Sequence, residues 1–518
     1  MSTTTTDYKP EAVRDRIVDV FRKRKGEATT ADLVALTGLP KARVESELPA
    51  VSDEFGARLR VTESGEILYS FPSGLHSRYK GLGPSLKRFW KAFKKGAIAA
   101  AKLVFKVWIV VMLVGYFVLF VALILLALLA SIAVSFGGGK DDRSDRRGGG
   151  GIGGLYLASR LVDTFVRLWF YSELFKSPEQ RYYEGQRRVE RKKERRPLYK
   201  AIFSFVFGDG DPNPDWDSVE KKAVVAFLQA NKGIITIHEF MAITGLPPLE
   251  AETRINRYLF EFEGEPRVSD AGTIYYSFES LLRRSDKADR TMGNTVPMKR
   301  LAAFSSNPKK MNGWFAFLNG FNLLFGGYFA SQALSSHALL GPLYSGEYAA
   351  KIVMTRGFDA FYLFTHQLLG KLAGIADPSV ALLWGLGLVP LVFSVLFYLI
   401  PFLRKFRVDA ANEEVKRGNM RRIAYRSVIA KPQGLTAEAV RQAASGAAAA
   451  SPKDPAAAEK ILVELAASSH GEPVEGGAYS YPEIASSEVE AGKARVAVKE
   501  ADFDLGATVF DSHSGSTQ

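Results

Sequence analysis

The sequence predicts an α+β protein: repeated small modules of helices and a hairpin, facing the cytoplasm and joined to an α-helical integral membrane region. Two observations carry this. The first is a duplication. Residues 11–75 and 218–282 align without a gap at a constant offset of 207, as from Leu39 to Leu246. The second is the placing of long apolar runs outside the two copies: Val107–Phe136, a stretch from Asn312 to Leu334, and Ser379–Leu403. A chain of 518 residues has room for about three or four domains.

The duplication is dense enough to exclude chance. Thr29, Thr37, Gly38, Leu39 and Pro40 recur as Thr236, Thr244, Gly245, Leu246 and Pro247. Gly65, Tyr69, Ser70 and Phe71 recur as Gly272, Tyr276, Ser277 and Phe278. Each copy has the same grammar. An amphipathic helix stops at Lys-Gly, a helix-ending signal (Lys25-Gly26, Lys232-Gly233). A Thr then N-caps a short second helix. "LTGLP" (36–40) and "ITGLP" (243–247) turn into a third helix, with Pro at its first turn where a missing N–H costs little. "RLRVTESGEILYSF" and "EPRVSDAGTIYYSF" close the module as a hairpin. Three helices and a hairpin in some 65 residues resemble the winged-helix fold. A degenerate third copy is expected at 420–484, where "GGAYSYPEI" echoes "GEILYSFPS". Residues 486–518 read as a flexible tail.

The apolar runs define the membrane region. Val107–Phe136 carries no charge and exceeds the roughly 20 residues of one upright span. Either a long tilted helix or a hydrophobic hairpin fits. Residues 311–403 read as two transmembrane helices with a loop at 337–378. Basic residues flank the pair outside that loop (Lys309, Lys310, Arg404, Lys405), so the loop should face away from the cytoplasm. The modules, being duplicates, should share one compartment, which favours an even number of crossings between them. "RRVERKKERR" (187–196) also demands the cytoplasm. The expected location is a bacterial inner membrane, with both termini cytoplasmic.

Residues 85–175 are expected to hold a basic interfacial helix, the hairpin or span, and an amphipathic helix at 155–175. In "SLKRFWKAFKKG", Lys87, Arg88, Trp90, Lys91, Lys94 and Lys95 mix cations with aromatic rings. That composition suits an anionic lipid surface, and equally a stop-transfer flank. The net charge of +13 is concentrated beside these segments.

The modules themselves do not look like nucleic-acid readers. DNA-binding winged helices press a basic third helix into the major groove. Here Lys41 and Arg43 stand against Glu45 and Glu47, and Arg254 and Arg257 against Glu250 and further glutamates. Neutral-to-acidic third helices would be repelled by phosphates. These residues are therefore expected to meet a protein partner.

The loop "FGDGDPNPDWD" (207–217) raises a cation question. Asp209, Asp211, Asn213, Asp215, Asp217 and Glu220 follow EF-hand spacing, but Pro214 stands where that loop needs Gly. The competing reading is a rigid turn, with Asp217 and Glu220 as a capping pair. The "FGDGDPN" stretch is similar to a motif of uncharacterised membrane proteins in bacteria and plastids, a resemblance that implies no activity.

With no cysteine there is no disulfide and no thiolate chemistry. The six His show no ligand spacing, and neither a P-loop nor a GxSxG elbow is present. No enzyme and no cofactor is expected. The expected role is an adaptor or assembly scaffold at the membrane. A membrane-tethered DNA-binding regulator and a transporter or channel subunit are the alternatives. Anionic lipids and a protein of unknown identity are the expected partners; self-association stays open.

Overall fold

The computed structural model describes residues 9–23, 26–72, 74–78, 82–137, 197–285, 296–336, 357–375 and 378–512. The amphipathic stretch 155–175 and the basic run 187–196 lie outside them. In chain order the first elements are α1 (Pro10–Lys23), α2 (Thr30–Thr37), α3 (Lys41–Phe55), β1 (Arg58–Thr62) and β2 (Ile67–Ser70). Next come α4 (Leu82–Val110), a π-helical turn (Val111–Gly115), α5 (Tyr116–Gly137) and α6 (Leu198–Phe207). Then follow α7 (Trp216–Ala230), β3 (Ile234–Ile235), α8 (Ile237–Thr244), α9 (Pro248–Phe262), β4 (Glu265–Val268) and β5 (Ile274–Ser277). After α10 (Lys309–Ser336) and α11 (Gly357–Ala373), a second π-helical stretch (Leu382–Leu388) leads into α12 (Val389–Ala430). The chain ends with β6 (Leu435–Thr436), α13 (Ala437–Ser445), α14 (Ala457–Ser468), β7 (Glu472–Val474), β8 (Ala478–Ser480), α15 (Pro482–Ala497) and β9 (Thr508–Asp511).

These residues divide into two compact units. One comprises Met1–Lys91, Asp211–Ala302 and Asp409–Gln518; the other comprises Ala92–Gly210 and Ala303–Val408.

In the first unit one order of elements occurs three times: a first helix, a short second helix, a third helix and an antiparallel hairpin. The sheets are β2-β1-β9, β3-β5-β4 and β6-β8-β7. A Thr N-caps the second helix each time. Thr29 accepts from the Asp32 N–H, Thr236 from Glu239 and Thr436 from Ala439. In the first two, the acid answers back to the cap's own N–H, forming a capping box. One apolar core runs through all three, with Ile17, Leu48, Val224, Tyr258, Val428 and Leu462 buried. Each fully buried Leu or Val contributes about 1.5–3 kcal/mol.

The copies are joined by two kinds of contact, each used twice. At the turn after the second helix, Gly38 and Gly245 both sit at φ +68°, where a side chain is strained. The next copy's first helix lies against each. The Ser218 hydroxyl donates to the Thr37 carbonyl at 3.0 Å. Arg422 donates to the Ile243 carbonyl at 3.0 Å and also to Thr244. The second kind forms at the capping box, where an Arg from beyond the next copy's hairpin reaches the acid. Arg284 meets Asp32 at 3.1 Å and Arg495 meets Glu239 at 2.5 Å. The third copy has Ala439 in place of that acid, and its Gly446 is right-handed at φ −70°.

The C-terminal expectation is corrected. Within 486–518, α15 buries Ser487, Glu490 and Ala491 at its inner face, and β9 pairs antiparallel with β1. The segment is poor in large apolar residues. Its order comes from polar anchors such as Arg495 and Asp511, which a hydrophobic pattern does not register.

The second unit is helical. From Leu82 to Gly137 the backbone stays helical through the π turn, so no hairpin interrupts Val107–Phe136. The apolar run contains no turn signal beyond Gly115, and a π turn absorbs that residue without breaking the helix. For the same reason the basic stretch 85–96 is no separate surface helix but the first part of α4. Two helices, Gly96–Ala130 and Ser379–Ala430, are long and apolar enough to cross a membrane. α10 is shorter and less apolar, carrying Asn312, Asn319 and Asn322. The supposed loop 337–378 holds α11, whose Tyr362 is buried beside Phe329. Phe361, Tyr362, Thr365, Leu368 and Leu369 recur at helical spacing there, a period hidden under the charge count.

Polar side chains brace this unit. The Asn322 amide donates to the Leu113 carbonyl in the first π turn at 2.8 Å. The Asn319 amide donates to the Ser394 carbonyl at 2.9 Å, and the Tyr116 hydroxyl to Gly385 in the second π stretch at 2.8 Å. Gly326 and Gly387 allow close approach, because a Cβ on either would lie under 3 Å from backbone of the facing helix.

Candidate functional site

The third helices, α3 and α9, carry the residues expected to meet a partner. Most of those side chains are engaged within the first unit. Glu47 is buried and accepts from Arg14 Nε at 2.5 Å. Lys41 reaches across to Glu263 at 2.6 Å, with Glu45 3.6 Å away. Arg254 faces Glu220 at 3.8 Å and Arg257 donates to Glu261 at 2.7 Å. The Lys41 ammonium is raised slightly in affinity for its proton: burial opposes this, but the Glu263 carboxylate outweighs it. Arg43 and Glu250 are exposed or half-buried on their helices. Most of the residues picked by charge are therefore tied within their own copy, and the Lys41–Glu263 pair joins two copies.

What the charges flank is an open apolar face on α9. Leu249 is 78% exposed and Phe260 86% exposed. They stand eleven positions apart, close to three full turns, and so share one side of the helix. Glu252, Thr253 and Asn256 lie exposed between them. The opposite stripe, Ala251, Ile255, Tyr258 and Phe262, is buried. The signal was present in the sequence: Leu249 and Phe260 fall outside the buried stripe. Large apolar residues on an exposed helix face mark contact surfaces. The matching positions of α3 are Ala42 and Asp53, so the first copy lacks the feature.

Behind this helix lies a buried polar centre. Arg422 is 2% exposed. It donates to the Asn419 side chain at 3.0 Å and stands 3.9 Å from Glu220. Its guanidinium lies 4.9 Å from the Trp216 ring centre. Trp216 Nε1 donates to Glu220 at 3.1 Å. Burial pulls the Arg422 pKa down to about 10, which leaves it a cation at neutral pH. Its donors are saturated by protein, so this centre is structural.

A second buried cluster joins α8 to α15. Glu488 accepts from the Thr236 hydroxyl at 2.9 Å. Burial and the neighbouring Glu239 carboxylate push its pKa up to about 7. His238, against Ser487, is pulled down to about 4 by burial and is neutral at physiological pH.

The acidic loop, 207–217, scatters its carboxylates among separate partners. Among the described residues no group of three or more His, Asp or Glu is placed to hold a metal ion. The side chains are spent separately. Asp209 accepts from the Ser204 hydroxyl and the Ser306 N–H. Asp211 accepts from the Asn213 N–H, and Asn213 pairs both ways with the Arg300 backbone. Asp217 faces Lys221 at 3.3 Å. Asp217 and Glu220 do not form the expected capping pair: Asp215 occupies the N-cap of α7 without a side-chain bond, and Glu220 turns inward.

Of the basic stretch, Trp90 and Phe93 are 52% and 53% exposed on α4, and Lys94 is exposed. Lys87, Arg88, Lys91 and Lys95 share that helix.

No known protein family matches this chain, and no solved structure does. An uncharacterised chloroplastic protein of Arabidopsis thaliana is 23% identical over 439 residues, covering 82% of this chain and 74% of its own.

Proposed function

We propose that this chain is an integral membrane protein whose winged-helix-like modules act as a protein-interaction adaptor or assembly scaffold on the cytoplasmic side. The observation that carries it is the exposed pair Leu249 and Phe260 on the second copy's third helix, the surface such modules use for recognition. An apolar pair rimmed by Glu252 and Asn256 suits a protein surface and not a phosphate backbone. Gly96–Ala130 and the apolar Ser379–Leu403 part of the second long helix supply the anchor, and the cationic, aromatic start of α4 suits anionic lipid. The chloroplastic relative fits a bacterial or plastid membrane setting.

The test is a photo-crosslinking amino acid at position 260 of the full chain in its native membrane, with position 268 as control. A discrete adduct at 260, abolished by Leu249→Asp, supports the adaptor reading. Equal, diffuse labelling at both positions would remove it.

A further inference from the structure

The three hairpins differ at their outer edges. In the second and third sheets the first hairpin strand, β4 or β7, is terminal. In the first sheet the corresponding edge, on β1, is covered by the C-terminal strand β9. The cover is therefore an addition to the common plan.

The seat is specific. Arg58 Nε donates to both Asp511 carboxylate oxygens, at 3.0 and 3.1 Å, and a further guanidinium nitrogen also reaches the carboxylate. The Ser512 N–H donates to the Leu59 carbonyl at 2.9 Å, and the Leu59 N–H to the Ser512 hydroxyl at 3.0 Å. At the other end the Glu63 N–H donates to the Ala507 carbonyl at 2.9 Å and the Ser64 N–H to Leu505 at 3.2 Å. Residues 505–512 are thus held along the whole of β1 by main-chain bonds and one ion pair.

The hold is also shallow. Val509 is 70% exposed and Phe510 58% exposed, so β9 buries little apolar surface. An edge strand held by hydrogen bonds and a part-buried ion pair, with little apolar surface covered, opens at low cost, since water replaces both. Its release bares a strand edge ready to pair with another extended segment.

We propose that the outer edge of β1 is a strand-acceptor site, and that residues 505–512 exchange between two copies of this chain. The occupant is defined by chemistry on the page: an extended segment whose Asp meets Arg58 while its main chain completes the β1 ladder. Within one chain the short connection from Ala497 to Thr508 keeps the strand at high effective concentration, so the closed monomer dominates when the protein is dilute. Confinement to a membrane plane would favour exchange. The inference does not depend on the adaptor reading.

The chain has no cysteine, so engineered thiols report cleanly. Val61 and Phe510 are direct antiparallel partners, within the reach of a disulfide. Full-length copies carrying Val61→Cys are mixed with size-tagged copies carrying Phe510→Cys and oxidised mildly. Exchange predicts a mixed disulfide dimer that increases with concentration. Excess peptide of sequence 503–514 should suppress it. Asp511→Arg should lower it about fivefold, and Arg58→Asp on the acceptor should restore it. The double variant Val61→Cys/Phe510→Cys in one chain is the folding control. If that control closes on itself while the mixed dimer never forms at any concentration, β9 does not exchange and the proposal is overturned.

Discussion

Arg422, on the first helix of the third copy, donates to the Ile243 carbonyl at 3.0 Å, at the turn of the second copy. The first and second copies make the same joint with a Ser, since Ser218 donates to Thr37. A buried cation thus does at one joint what a hydroxyl does at the other, with Glu220 and Trp216 beside it.

Removing that cation should cost more than removing the hydroxyl. Arg422→Met strands two carbonyls and leaves Glu220 without its buried partner, at a cost of about 3–5 kcal/mol. Ser218→Ala loses one hydrogen bond, about 1 kcal/mol. Thermal melts of the full chain in detergent would rank them. Equal shifts would show that Arg422 is dispensable.

The capping-box acid of the first copy makes an acid-sensitive joint. Burial alone would raise the Asp32 pKa. The Ser285 hydroxyl, the Thr29 and Ser285 N–H groups and Arg284 outweigh it and hold the carboxyl below its ordinary 3.8. Its contribution is complete above that value and is lost as pH falls through the lower folded value. Asp32→Asn should therefore cost about 1–3 kcal/mol at pH 7 and converge on the wild type in strong acid. A difference that persists unchanged below pH 3 contradicts this.

Glu488 should behave in the opposite sense. Its folded pKa of about 7 lies above the ordinary 4.5, so the folded state holds an extra proton between them. That stabilisation is fully present below 4.5 and is lost as pH rises through 7. Glu239, Arg495, His238 and, from farther off, Glu483 are the charged or titratable groups around it. Glu488→Gln should gain on the order of 2 kcal/mol over the wild type at pH 8 and little at pH 5. Urea titrations at the two pH values measure it.

Two glycines of the same copy should respond differently to alanine. At Gly245 a Cβ would lie 2.5 Å from the Gly418 carbonyl oxygen, whereas at Gly272 it would meet nothing within 4 Å. Both sit at positive φ. Gly272→Ala should cost about 1 kcal/mol, from backbone strain alone. Gly245→Ala should also push α12 off its seat and cost several times more. Hydrogen exchange at the α8–α12 joint would separate the two effects.

Substitution at the open face should leave the fold intact. Phe260→Asp and Leu249→Asp remove only exposed groups, so stability should stay within about 0.5 kcal/mol. A larger loss in a denaturant titration would mean that the face is structural.

Much of the first unit was legible because its cues are local. Thr29 and Thr236 announce caps, Gly38 and Gly245 announce turns, and the alternation around Tyr69 and Tyr276 announces hairpins. What was not legible lies in the joints. Arg284 and Arg495 are ordinary cations until the fold sets each against an acid some 250 positions away. β9 is a four-residue strand whose partner stands at the other end of the chain. On α9 the charges are obvious in one dimension, whereas the isolation of Leu249 and Phe260 shows only once the buried stripe is drawn. α11 was hidden because a balanced set of charges drew attention from its period.

Ala439 and Gly446 set the third copy apart. Wherever another copy follows, the preceding one offers an acid for an incoming Arg and a left-handed Gly turn for an incoming helix. The third copy offers neither. The array is directional and terminated: a fourth copy grafted after Tyr481 would find no socket. Restoring one would take a carboxylate at 439 together with a left-handed turn at 446.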